Sequence, residues 1–268
     1  MSGSELSAAL RRLGLGADAV VLVHSSLRSL APLQNRAAAL LDALREVTGP
    51  GGTVVVPTFT PENSRTSSAY LAAVRGLGPT GRTEYHRRMK PFDPATTPSA
   101  TGLFTEYLRT SENAVRSAHP QTSFAAVGPL ADFLTADHAL NCHLGEESPL
   151  SRLYDAGALV LLIGVGYGRC TAFHLAEYRY HENPPSQEYQ AVVLDRGERR
   201  WRRFRDIRLD DSDFELLGKE MEQEVPVAHD TFFGSELRMF ALRDAVDFAK
   251  RWLRDVRIHH ETSQDAVH

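Results

Sequence analysis

Short apolar runs alternate along this chain with segments of helical spacing, and the two periods separate cleanly. Ala19-Val20-Val21-Leu22-Val23-His24 is apolar at consecutive positions, which predicts a central strand covered on both faces. Residues 35–47, NRAAALLDALREV, carry leucines at helical spacing and run into Gly49-Pro50-Gly51-Gly52, a helix stop. Thr53-Val54-Val55-Val56-Pro57 follows as a second strand, ended by its proline. Strand, helix and strand in succession predict a parallel pair with a right-handed crossover. The same reading gives short helices over 102–108 and from 131 to 134, and a helix starting at Ser148-Pro149-Leu150 with a serine cap. A third apolar run, 159–163, ends in glycines at 164, 166 and 168. Ala191-Val192-Val193-Leu194, the turn Asp195-Arg196-Gly197 and the basic run 199–205 predict a β-hairpin. Asp210-Asp211-Ser212-Asp213 is expected to cap a helix from Phe214, and 241–253 forms a last amphipathic helix.

Between these elements, residues 60–98 lose their periodicity to Pro, Ser, Thr, Gly and Arg. A loop of that length inside a compact domain is more often functional than idle. Residues 114–128 mix strand formers with Pro120. Together the pattern is α/β: a layered α/β/α fold with a central, mostly parallel sheet and extra β-hairpin material in the carboxy-terminal third. Residues 1–258 are read as one domain and 259–268 as a polar, disordered tail.

A net charge of −4 gives no general reason to expect a nucleic-acid partner, and the basic runs 87–90 and 199–205 read as solvated faces. No apolar run approaches the roughly 20 residues needed to cross a bilayer. The amino terminus reads as an amphipathic helix and not a signal peptide, so a cytoplasmic protein with no membrane partner is expected. Two cysteines are too few for a disulfide framework or a structural zinc site.

Candidate chemistry gathers after the third apolar run, where Thr171, His174 and Glu177 recur at three-residue spacing. On a helix, His174 and Glu177 share a face, close enough for the carboxylate to orient the imidazole. On spacing alone three readings stay open: a general base with its orienting acid, a metal site completed by His181, or hydrogen-bonded polar groups of the core. His24-Ser25-Ser26-Leu27-Arg28 follows the first strand, and small hydroxylated residues there can hold a phosphate or an acyl oxygen, or simply start a helix. Arg116-Ser117-Ala118-His119-Pro120 with Ser123-Phe124 reads either as a cofactor contact or as a structured loop. Asp93, Asp210, Asp211 and Asp213 could recognise a cation, or be capping and solvated groups. Neither a dinucleotide fingerprint nor a glycine–x–serine–x–glycine elbow is present, which argues against a nicotinamide enzyme and a serine hydrolase.

In order along the chain, these blocks resemble the antibiotic N-acetyltransferase family typified by aminoglycoside 3-N-acetyltransferases. The resemblance is carried by Val21–Leu30 as VLVHSSLRSL, Gly51–Thr58 as GGTVVVPT, Pro91-Phe92-Asp93-Pro94, and Arg116-Ser117-Ala118-His119-Pro120. It continues through Ser123–Gly128 as SFAAVG, Ser148-Pro149-Leu150, Leu161–Val165 as LLIGV and Thr171–Glu177 as TAFHLAE. It implies a fold distinct from the commoner N-acetyltransferase superfamily. It also implies acetyl-coenzyme A as cosubstrate, no metal, and a cationic amino-sugar acceptor acetylated at a 3-N position, with resistance to the drug as the consequence. By the same resemblance His174 is the base, Glu177 orients it and reaches the acceptor, and Thr171 neighbours the reacting groups. Residues 24–28, Thr58, Arg116, Ser117, His119, Ser123 and Phe124 are then the coenzyme A site, and Asp93, Asp210, Asp211 and Asp213 acceptor contacts. A biosynthetic amine as acceptor and a metal-dependent hydrolase using His174, Glu177 and His181 are the alternatives, and a monomer or homodimer is expected.

Overall fold

The computed structural model describes residues 3–31 and 33–265, with side chains described as far as Ile258. Helix α1 (Gly3–Arg12) leads into β1 (Val20–Ser25), α2 (Arg36–Thr48) and β2 (Thr53–Pro57). Strands β1 and β2 are parallel, with Leu22 opposite Val55, as strand–helix–strand requires. Then come α3 (Ser68–Ala73), α4 (Pro79–Arg88), α5 (Leu103–Arg109), β3 (Val115–Arg116), β4 (Phe124–Val127), α6 (Ala131–Thr135) and α7 (Pro149–Asp155). The last third holds β5 (Leu159–Ile163), α8 (Phe173–Glu177), β6 (Ser186–Asp195), β7 (Glu198–Ile207) and α9 (Phe214–Met221). It closes with β8 (Ala228–Phe232), β9 (Ser235–Ala241) and α10 (Leu242–Asp265).

Seven strands form one sheet in the order β3-β4-β2-β1-β5-β9-β8, and β6-β7 is a separate hairpin. The centre, β2-β1-β5, is parallel, while β4 and β9 run against their neighbours. Alternate residues of the central strands enter different cores. Leu22, Val55, Val160 and Leu162 pack with Leu150, Phe173, Phe214 and Leu253 on one face. Val21, Val23, Val54, Val56, Leu161 and Ile163 pack with Leu6, Leu40, Leu44 and Phe104 on the other. The period of two therefore divides continuous apolar runs between two helical layers, which is why no polar face appears in them.

Four features depart from expectation. Residues 60–98 are not one irregular loop: they contain a 3-10 turn at Pro61–Asn63, α3 and α4. Helix α4 has no buried residue, so it shows no hydrophobic period. Pro79 starts it, and Glu84 pairs with Arg87 and Arg88 in its last turns. The hairpin β8-β9 is not among the elements that the hydrophobic pattern predicts, yet β9 extends the sheet by pairing Met239 with Leu161. Its turn, Phe233-Gly234, has positive φ at both positions, as Arg196-Gly197 does in β6-β7. Asp213 stands at the start of α9 but makes no capping bond; Arg257 holds its carboxylate instead. Helix α10 also runs past residue 253, and its backbone continues to Asp265, inside the segment read as a tail. Residues 266–268 lie outside the described residues. No helix among those described is long and apolar enough to cross a membrane.

Candidate active site

Strands β1 and β5 are adjacent and parallel, so His24-Ser25 and the Gly164 turn emerge side by side at their carboxyl ends. The helix after β1, α2, packs in one layer, and the helix after β5, α8, packs in the other. Chains leaving to opposite sides open a crevice between them, the usual site position in an open α/β sheet. The turn is possible because Gly164 has φ +60° and a Cβ there would meet Ser29 at 2.3 Å. The crevice measures about 700 Å³, and His24, Ser25, Thr171, His174, Asp211 and Phe214 are among its lining residues. The β6 residues Gln187 and Tyr189 form the opposite wall.

His174 Nδ1 lies 2.5 Å from Glu177 Oε2 within the short helix α8. Glu177 is 1% exposed, and its other oxygen accepts from the Asp210 amide at 2.9 Å and from Arg257 Nη1 at 2.7 Å. Burial works against the Arg257 charge, but the Asp213 and Glu177 carboxylates outweigh it and hold the guanidinium above its ordinary pKa. A carboxylate bound this way accepts a hydrogen bond from Nδ1–H, leaving Nε2 as the basic nitrogen. Among the described residues Nε2 has no protein partner, and His174 faces the crevice. The ring packs 4.7 Å from that of Phe214.

His24 is a second imidazole on the crevice floor, with Nε2 3.2 Å from Thr171 Oγ1. Burial, then proximity to His174, lowers His24 to about 3, so it stays neutral. Ser25 Oγ is buried and has no partner among the described residues, although the residue lines the crevice. An unsatisfied buried hydroxyl is costly unless a ligand completes it.

The remaining sequence candidates divide. Ser26 hydrogen-bonds back to the end of β5 through Ile163 O at 2.9 Å, Leu27 O accepts from Arg36, and Arg28 is exposed. Arg116 is turned inward: Nε donates to Thr58 Oγ1 and Ser123 Oγ, Nη2 to Thr58 O, and the guanidinium lies over the Phe92 ring. Burial, followed by the neighbouring Arg109, lowers Arg116 to about 10. Ser117 bonds His138, His119 sits among Gln121, Thr122 and Leu140, and Phe124 packs edge-on against Phe59. None of Thr58, Arg116, Ser117, His119, Ser123 and Phe124 lines the crevice; their neighbours Pro57, Phe59, Gln121 and Thr122 do.

Of the acidic candidates, Asp211 alone lines the crevice. Asp93 folds a turn onto the Ala95 amide, Asp210 Oδ1 accepts from Ser212, Asp213 binds Arg257, and Glu177 has both oxygens engaged. His181 is exposed, bonds the Asn183 amide and does not face the crevice. No three His, Cys, Asp or Glu residues among those described are arranged to hold a metal ion. Arg257, Gln121, His143, Tyr189 and Phe214 belong to the site and its support but went unrecognised in the sequence. Arg257 acts on Glu177 from 80 positions away, a pairing no local pattern signals.

The crevice thus holds a carboxylate-oriented histidine open at Nε2, with no nucleophile elbow in the sequence, an arrangement chemically able to move a proton. Residues 22–254 match the family model for aminoglycoside 3-N-acetyltransferase. The SPbeta prophage-derived aminoglycoside N(3')-acetyltransferase-like protein YokD of Bacillus subtilis (strain 168) is 31% identical over 253 residues, covering 91% of this chain and 89% of that protein. The YokD crystal structure superposes with a TM-score of 0.89 at 29% identity, over 96% of this chain and 94% of that one. AAC-VIa bound to sisomicin gives 0.80 at 29% identity, over 95% and 98%. AAC-IIIb in a binary complex with CoASH gives 0.83, over 95% and 97%, but at 24% identity it is evidence for the fold alone. The chain belongs to the aminoglycoside 3-N-acetyltransferase family and is an N-acyltransferase.

Proposed function

We propose that this protein transfers the acetyl group of acetyl-coenzyme A to an amine of an aminoglycoside-type acceptor, at a 3-N position, by direct attack within a ternary complex. The observation that carries the reading is His174, fixed at Nδ1 by Glu177 and open at Nε2. Nε2 takes a proton from the acceptor amine as the amine nitrogen bonds to the acetyl carbon. The carbon–sulfur bond then breaks, and the leaving thiolate recovers a proton from the His174 imidazolium. Glu177 stabilises that imidazolium without accepting its proton, and Arg257 pairs with the other Glu177 oxygen. The buried Ser25 hydroxyl, and the Thr171 hydroxyl beside His24 Nε2, line the same crevice as His174 and are donors for the oxyanion of the attacked carbonyl. Acetyl-coenzyme A supplies an activated acyl thioester, so no enzyme nucleophile is required.

The 24–28 segment fits the role of holding the cosubstrate. The amides of Leu27 and Arg28 donate to no acceptor among the described residues, and the Arg28 side chain is exposed beside them. Thr58, Arg116, Ser117, His119, Ser123 and Phe124 support this role indirectly, by shaping the loops that present Phe59, Gln121 and Thr122. Aminoglycosides are polycations, and Asp211 is the one carboxylate lining the crevice among the described residues. That observation favours a second acceptor class within the same chemistry, a biosynthetic amine with fewer ammonium groups. A thiol-release assay with acetyl-coenzyme A across an aminoglycoside panel including sisomicin, with mass spectrometry of products, tests both. Release with an aminoglycoside supports the first acceptor, release only with simpler amines the second, and none with any amine overturns acetyl transfer.

A further inference from the structure

The β6-β7 wall of the crevice is fastened by a second histidine–carboxylate pair that the transfer step does not use. His143, in the loop between α6 and α7, is 2% exposed and lines the crevice. Its Nδ1 lies 2.6 Å from Asp206 Oδ2 on β7, and its Nε2 lies 2.8 Å from Gln121 Oε1. Donor accounting fixes the protons. The Gln121 amide nitrogen donates to two carbonyls, Asn63 O at 3.3 Å and Gln190 O at 3.1 Å, so Oε1 must face His143 and needs a donor there. Asp206 receives the His143 amide at 2.6 Å, the Tyr178 hydroxyl at 2.7 Å and the Ile207 amide at 2.7 Å, a set of donors that favours the ionised carboxylate. With an acceptor at each end, the His143 ring carries a proton on both nitrogens.

The two rings beside it are set the other way. His119 Nδ1 accepts from the Gln121 and Thr122 amides, and its Nε2–H donates to Leu140 O. His138 donates to His143 O and accepts from Ser117. Burial, then the adjacent histidines, lowers His119 well below its ordinary value, and burial lowers His138 to about 4. Tyr189 lies 4.2 Å from the His143 ring and Phe204 5.4 Å, so apolar and aromatic groups enclose the pair.

We infer that His143 is a fixed imidazolium whose buried pairing with Asp206 is a positioning device, locking the β6-β7 wall of the crevice to the helix that carries the base. Tyr178 directly follows Glu177, and its hydroxyl joins the same Asp206 oxygen, so one carboxylate ties hairpin to helix. Gln121, held by His143, staples the hairpin at Gln190 and the 60s segment at Asn63, whose side chain pairs with the Val192 backbone. The kinetic consequence rests on the acetyl-transfer reading above; the protonation state and the fastening do not.

The test is nitrogen-15 NMR of the full chain at neutral pH without substrate, with His143→Gln identifying the signals. Two protonated ring nitrogens for His143 are expected, and one unprotonated nitrogen overturns the inference. Asp206→Asn is the second variant: it should convert His143 to a single-proton ring, and an unchanged imidazolium contradicts the pairing. Hydrogen exchange should quicken at the β6-β7 amides in either variant, and unchanged exchange refutes the fastening. With acetyl-coenzyme A and sisomicin, KM for sisomicin should rise about tenfold with kcat within about twofold and an unchanged pH profile for the His174 limb. An unchanged KM in a folded variant also overturns it. If the wild-type chain does not acetylate sisomicin, the acceptor reading fails while NMR and exchange still decide this one.

Discussion

In the proposed mechanism the behaviour of His174 is set largely by Glu177, which does not line the crevice. Its carboxylate is 1% exposed and lies among His174, the Asp210 amide and Arg257, and in the proposed mechanism it orients the imidazole and balances the charge formed during transfer. Glu177→Gln keeps an oxygen near Nδ1 but removes the charge, and kcat should fall about 100-fold with little change in coenzyme A affinity. Pre-steady-state acetyl transfer measures this, and a loss under threefold would refute the role. Removing Arg257 leaves a buried charge without its partner. Arg257→Ala should therefore cost about 3 kcal/mol in urea unfolding. At this scale the sequence spoke clearly where partners are local. His174 and Glu177 are one helical turn apart, so spacing alone exposed their relation, whereas Arg257 and His143 reach their partners across the fold.

Helix α8 has only five residues, too short to persist alone, and it is held by burial of Phe173, Leu175 and Ala176. Helix α9 brings Phe214 to the His174 ring, and it can do so because Gly218 lets α9 lie against Tyr167. A Cβ at Gly218 would meet Tyr167 Cγ at 2.0 Å, too near the backbone for the ring to swing clear. Gly218→Ala should cost about 1–3 kcal/mol, read as a fall in Tm, and would loosen the wall behind His174. Elements with a core face were legible: β1, β2, β5, α2 and the β6-β7 hairpin all fall where period and turn residues put them. Helix α4 was hidden because it buries no residue fully; its Tyr85 and His86 only half-bury against Tyr70 and Trp201. The acidic segment 210–213 misled for a related reason: carboxylates near a helix start signal capping, and here Arg257 claims Asp213.

In the whole molecule, three buried histidines tie stability to pH. His24 is lowered to about 3, His138 to about 4 and His119 well below its usual value, in each case chiefly by burial. Their unfolded counterparts titrate near 6.5, so below that pH the unfolded chain binds more protons than the folded one. The contribution of these three histidines is therefore fully present above about pH 6.5 and falls with acidification toward pH 4, by about 1.4 kcal/mol per pH unit for each. Urea unfolding at pH 7.5 and pH 5 checks the sign, and equal or greater stability at pH 5 would contradict it.

All these scales converge on one nitrogen, Nε2 of His174. The most direct measurement pairs acetyl transfer by His174→Ala with calorimetry of coenzyme A binding to the same variant. Turnover should drop by about 1,000-fold while coenzyme A affinity stays within about twofold, because the base acts on the amine and does not hold the cosubstrate. Near-normal turnover in a folded His174→Ala protein would remove His174 as the base and contradict the account.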